Sequence, residues 1–131
     1  MPKTGDILLD TNAAIALLNR APGIENVLAL GIETFLPLTA LGELFFGVYA
    51  SSRKDANLQR LERLRAAIPI LFPDADTARA YGQIRSQLKR DGRPIPQNDI
   101  WIASIAMQHG IAVLTNDEHF KAVQNLTVKS W

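Results

Sequence analysis

Short apolar runs alternate with amphipathic stretches along the chain. Ile7-Leu8-Leu9 is an uninterrupted apolar run that ends at Asp10, the pattern of a strand buried on both faces. Residues 13–18 read as a helix closed by Ala21-Pro22-Gly23, and a short helix follows over 24–30. Thr34-Phe35-Leu36-Pro37-Leu38 is a second strand, after which Thr39 is placed to cap a helix reaching about residue 50. Residues 55–68 carry Leu58, Leu61, Leu64 and Ile68 on one stripe, with Arg60, Arg63 and Arg65 off it. Pro69 stops that helix, and Ile70-Leu71-Phe72 is a third strand. A helix starting at Asp74 or Asp76 turns Ala78, Tyr81, Ile84 and Leu88 inward. The stretch 91–97 is a loop by its Gly and Pro content. Residues 98–109 form an apolar helix capped by Gly110, with Trp101 in the core. Ile111-Ala112-Val113-Leu114 is a fourth strand, residues 117–123 a short helix, and 127–129 a weak last strand.

Strands alternating with helices predict βαβ units and a mainly parallel sheet of four to five strands. No repeat, low-complexity segment or linker interrupts the 131 residues, so a single domain over 1–131 is expected. In such sheets the reactive crevice lies outside the carboxyl ends of the strands. That rule selects which acidic residues to weigh.

Four acids stand out. Asp10 directly follows the first strand; Asp117 follows the fourth, in Leu114-Thr115-Asn116-Asp117. Glu43 is the only charge between Glu33 and Arg53, among Leu41, Leu44, Phe45, Phe46 and Val48, in a helix apolar enough to be largely buried. Asp99 is the only charge between Arg93 and His109 and opens the apolar helix. Each has an ordinary reading: helix caps for Asp10, Asp99 and Asp117, a solvated edge for Glu43. Together they project toward one end of the sheet. Two carboxylates about 4 Å apart repel by about 4 kcal/mol at an effective dielectric of about 20. A cluster of four therefore calls for cations. Hard oxygen donors without cysteine or a histidine pair suit Mg²⁺ or Mn²⁺ over Zn²⁺. Asn12, Thr115 and Asn116 stand beside the acids as candidate supports for ligands or water.

Composition narrows the setting. Hydrophobic residues make up 47% and charged residues 21%, ordinary globular values, and there is no cysteine, which suits a reducing compartment. No stretch resembles a signal peptide or membrane span, so a cytoplasmic protein is expected. The net charge of +1 hides an asymmetry: with four acids in one cluster, 14 basic side chains face 9 remaining acids. A basic shell around an acidic pit suits a polyanion. Arg53 and Lys54, and Lys89, Arg90 and Arg93, are candidate phosphate contacts; exposed charges of this kind are more often simply solvated. His109 and His119 are isolated in sequence and read as surface or packing residues.

Leu8-Leu9-Asp10-Thr11-Asn12 resembles the opening motif of PIN-domain nucleases. Thr39-Ala40-Leu41-Gly42-Glu43-Leu44 with Gly47 resembles their second motif, Asn98-Asp99-Ile100-Trp101-Ile102-Ala103 the third, and Leu114-Thr115-Asn116-Asp117-Glu118-His119-Phe120 the fourth. The order and intervals match across nearly the whole chain, and the compact size suits the VapC-type toxin branch. Asn116 stands where that family often carries Arg. The resemblance implies a three-layer α/β/α fold, a Mg²⁺-dependent endoribonuclease and Asp10, Glu43, Asp99 and Asp117 as metal-holding catalytic acids. It also implies a homodimer neutralised by a VapB-like antitoxin, whose C-terminal segment crosses the active site.

Two other readings compete. A receiver-like signalling domain would share the sheet and the acids, with Phe72-Pro73-Asp74 as a poor match for its phosphorylated aspartate. An inactive PIN-like module would bind RNA or protein only. No G-x-G-x-x-G or G-x-S-x-G is present, and Val48 stands where the spacing of Gly42 and Gly47 would require a P-loop lysine.

Overall fold

The structure is a computed structural model describing residues 1–28 and 31–131. Five strands form one parallel sheet in the order β3-β2-β1-β4-β5: β1 Ile7–Leu9, β2 Thr34–Pro37, β3 Ile70–Leu71, β4 Ala112–Leu114 and β5 Val128–Lys129. The central strands are the continuous apolar runs. Ile7, Leu8, Leu9, Val113 and Leu114 are fully buried, as strands covered on both faces must be. Edge strands β3 and β5 are two residues long and half-buried, which limits the unpaired backbone offered to other chains.

Helical layers on both faces complete an α/β/α sandwich, with α1 Thr11–Leu18, α2 Ile24–Leu28, α3 Leu38–Tyr49, α4 Lys54–Ala67, α5 Ala75–Arg90 and α6 Gln97–His109. The last two residues of the helix expected over 24–30 lie outside the described residues. A 3-10 helix, Glu118–Ala122, stands where a short helix was expected. The chain leaves β1 toward β2 and β3, then returns to β4 on the other side of β1. The strand order therefore reverses between β1 and β4, and the crevice at their carboxyl ends is the topological switch point.

Several local expectations shift. α3 begins at Leu38 with Pro37 at the N-cap, so Thr39 lies inside the helix and does not cap it; its buried hydroxyl has no hydrogen-bond partner among the described residues. α3 is also less buried than its composition suggests. Ala40, Leu41, Leu44 and Val48 face the core, while Glu43, Phe46 and Tyr49 are exposed, Phe46 at 71%. On α5, Thr77 replaces Ala78 in the inward stripe with Tyr81, Ile84 and Leu88, because positions i, i+4, i+7 and i+11 share a face. Trp101 is half-buried and stacks on Tyr81 with ring centroids 4.1 Å apart.

Asp74 starts α5 through a capping box. Its Oδ1 accepts from the Asp76 and Thr77 amides at 3.0 and 3.1 Å, while the Asp74 amide donates to Thr77 Oγ1 at 2.9 Å. Gln108 Nε2 donates to the same carboxylate at 2.8 Å and ties α6 to the start of α5. The Thr77 amide above all, with Gln108, holds the Asp74 carboxyl below the ordinary carboxylate range. A group depressed in this way contributes stability above its unfolded pKa and loses it as pH falls through its folded pKa. Asp74→Ala is therefore expected to lower the urea midpoint at pH 7, and the gap from wild type should close as the solution is acidified below the ordinary carboxylate range.

Candidate active site

Asp10 leaves β1 directly into the switch-point crevice. It is the N-cap of α1, accepting the Ala13 amide on Oδ1 at 2.7 Å. Its other oxygen accepts a 2.5 Å hydrogen bond from Thr115 Oγ1, one residue beyond β4. Thr115 is buried, and its hydroxyl oxygen also accepts the Asp117 amide at 2.9 Å. One hydroxyl thus fixes the spacing between the acid after β1 and the acid after β4. Asp10 caps a helix and belongs to the cluster at once: two accepted bonds leave lone pairs on a carboxylate.

Asp99 stands in the first turn of α6, where no side chain caps the helix, so its carboxylate is free to face the crevice. Asp117 caps the 3-10 helix, accepting the His119 amide at 2.9 Å. His119 then turns its ring back: Nδ1 lies 3.1 Å from Asp99 Oδ2 and 3.1 Å from Asp117 Oδ1. Donor atoms from Asp99, Asp117 and His119 all lie within 4.8 Å of one another. His119 is exposed, as expected of a surface residue, but it is not isolated in space. Its partner on α6 is twenty positions away in sequence, and the one visible signal was the Asp-x-His spacing of Asp117 and His119.

Burial, chiefly, raises the Asp10 carboxyl above the ordinary range, and the nearby charges of Asp99 and Asp117 push it further; the bonds from Thr115 and Ala13 oppose the shift. Asp99 is raised by burial first and then by Asp117, against the lowering effect of His119. Crowded carboxylates that resist ionisation, with a ring nitrogen at their edge, are a donor set suited to a divalent cation.

The remaining predicted site residues are exposed. Glu43 is exposed on the second turn of α3, outside the group formed by Asp99, Asp117 and His119. It lines a groove between α1, α3 and α4 with Ile15, Leu18, Gly47, Asn57 and Arg60. Asn12 is exposed on the first turn of α1. Asn116 is occupied with the chain end: its Oδ1 accepts the Trp131 amide at 3.2 Å and its Nδ2 donates to the Trp131 carbonyl at 3.4 Å. Arg53, Lys54, Lys89, Arg90 and Arg93 are all exposed. Of these, Arg93 lines a cavity with Pro94, Ile95, Glu118 and His119. A buried amide, Gln87, braces this region from α5, donating to the Ala122 carbonyl at 3.0 Å and accepting the Gln124 amide at 3.1 Å. Asp74, the aspartate a receiver-like domain would phosphorylate, is spent on its capping box beside edge strand β3.

Residues 7–126 match the PIN domain. The chain belongs to the PIN-domain family. Among its PIN relatives, "Ribonuclease VapC1" of Haemophilus influenzae is 29% identical over 95% of this chain and 96% of its own length. The "tRNA(fMet)-specific endonuclease VapC" of Shigella flexneri is 32% identical over the same shares. Among solved structures, the VapBC2 complex of Rickettsia felis bound to a DNA fragment from its promoter superposes with a TM-score of 0.90 at 28% identity, covering 98% of this chain and 99% of that one. These similarities place the chain in the VapC branch of the PIN family. No helix among the described residues is long and apolar enough to cross a membrane.

Proposed function

We propose that this protein is the toxin of a toxin–antitoxin pair, a metal-dependent endoribonuclease that hydrolyses RNA phosphodiester bonds in the cytoplasm. The observation that carries the reading is the convergence of Asp10, Asp99 and Asp117 at the switch point, from three separate stretches of chain, with Thr115 bridging two of them. Mg²⁺ or Mn²⁺ held there would activate water and stabilise charge on the attacking and leaving oxygens. The chain's own part is to fix the donors. Thr115 holds Asp10 against rotation, the α1 N-terminus fixes its second oxygen, and the 3-10 helix presents Asp117. Glu43 enters as a fourth acid through the match of its surroundings to the family's second motif; its side chain has no hydrogen-bond or ion-pair partner among the described residues. Arg93, on the wall shared with His119, is positioned to take a phosphate next to the scissile one, with Arg53, Lys54, Lys89 and Arg90 as outer contacts.

The partner in this reading is a VapB-like antitoxin. The groove beside Glu43 and the exposed Ile15, Leu38, Phe46 and Tyr49 form the apolar surface such a partner would cover. Arg60 braces the groove wall, donating to the Leu18 carbonyl and to Asn19 Oδ1. A homodimer is the proposed oligomer, to be read by light scattering. Expression in a bacterial host tests the function: growth should arrest, and coexpression of a cognate VapB-like antitoxin should relieve it. Purified protein should cleave RNA with Mg²⁺ or Mn²⁺ and stop on chelation. Normal growth together with intact RNA would reject the proposal and favour an inactive binding module.

A further inference from the structure

Nδ1 of His119 stands 3.1 Å from Asp99 Oδ2 and 3.1 Å from Asp117 Oδ1. A neutral imidazole nitrogen offers either one in-plane hydrogen or one in-plane lone pair. It cannot give a straight hydrogen bond to two carboxylates on different elements. Donors bound at about 2.1 Å on adjacent corners of an octahedron lie about 3.0 Å apart. Both separations match that edge. The ring is also held in place: the His119 amide donates to Asp117, and Phe120, the next residue, is fully buried. The ring itself is half exposed, which leaves its other nitrogen access to water or substrate.

We infer that His119 supplies a nitrogen ligand to the metal centre, making it a mixed carboxylate–imidazole site that takes a first-row transition ion such as Mn²⁺ in preference to Mg²⁺. Imidazole nitrogen adds little for Mg²⁺, which favours oxygen, but strengthens binding of first-row transition ions. This rests on the reading of Asp10, Asp99 and Asp117 as metal-holding acids and extends it to a residue outside the acid set.

Pulsed EPR on the Mn²⁺-loaded full chain reads coordination directly, because a bound imidazole nitrogen leaves a ¹⁴N coupling in the spectrum. The chain has two histidines, so the assignment is closed by substitution. The coupling should be present in wild type, persist in His109→Gln and vanish in His119→Gln and His119→Ala. Mn²⁺ affinity of the His119 variants should fall about tenfold or more, with Mg²⁺ affinity changed far less. Thermal melts confirm that the variants are folded. Mn²⁺ bound without ¹⁴N coupling in wild type, or coupling that survives His119→Gln, overturns the inference and leaves the carboxylate site standing. Failure to bind Mn²⁺ at all overturns both.

Discussion

RNA cleavage by the Asp99→Asn protein is expected to fall at least about a thousandfold, equivalent to about 4 kcal/mol of transition-state stabilisation. The same change should make the metal-free protein more stable. Asp99 and Asp10 both carry carboxyls raised above the ordinary range, chiefly by burial and then by neighbouring acids. A raised folded pKa means that the folded protein holds the proton to higher pH than the unfolded chain does. Stability from these two groups is therefore greatest below the ordinary carboxylate range and declines as pH rises through the raised values. At neutral pH the ionised pair strains the metal-free fold, and Asp99→Asn removes one charge while keeping the shape. Thermal melts in chelator should show a higher midpoint for Asp99→Asn than for wild type at pH 7, with the difference shrinking toward pH 4. Added divalent ion should raise the wild-type midpoint and move the variant much less. An inactive variant that is also less stable at every pH would show that Asp99 is structural.

Phe120→Ala is expected to cost about 3–5 kcal/mol, the range for emptying a fully buried aromatic site. Phe120 is completely inaccessible and anchors the 3-10 helix Glu118–Ala122 in the core. That helix presents Asp117 at its N-cap and His119 on its first turn, so the damage reaches the site without removing a donor. Urea unfolding should report the stability loss. Divalent titration of the protein that remains folded should show weakened binding, because Asp117 and His119 lose their fixed spacing to Asp99. Phe120→Leu, which refills most of the volume, should recover much of both. Full metal affinity in a strongly destabilised Phe120→Ala protein would separate the core anchor from the site.

Much of this architecture was readable where one physical effect dominates. Ile7-Leu8-Leu9 and the run ending at Leu114 can only be strands covered on both faces, and the acids that follow them fall at the sheet's carboxyl end. Asp99, alone in an apolar helix, stood out for the same reason. The exposed face of α3 was less legible. α3 is apolar on nearly every side, so its pattern implied that it is largely buried, yet Phe46 and Tyr49 face outward and Glu43 with them. Periodicity records that a face is apolar; it does not record what covers it. Thr39 lost its expected cap because Pro37 already supplies the extended backbone before the helix, moving its start back to Leu38. His119 and Asn116 show the limit at the site itself. They flank Asp117, yet one turns back to Asp99 and the other clamps Trp131. Between them the chain turns from the end of β4 into the 3-10 helix, and only the fold determines which of the two side chains meets the acids.

The most direct measurement is anomalous scattering from crystals grown with Mn²⁺. A peak enclosed by the side chains of Asp10, Asp99 and Asp117 is the predicted result. A protein that cleaves RNA with Mn²⁺ yet shows no peak in that crevice, or binds its ion elsewhere, would contradict the assignment of these carboxylates as the metal-holding site.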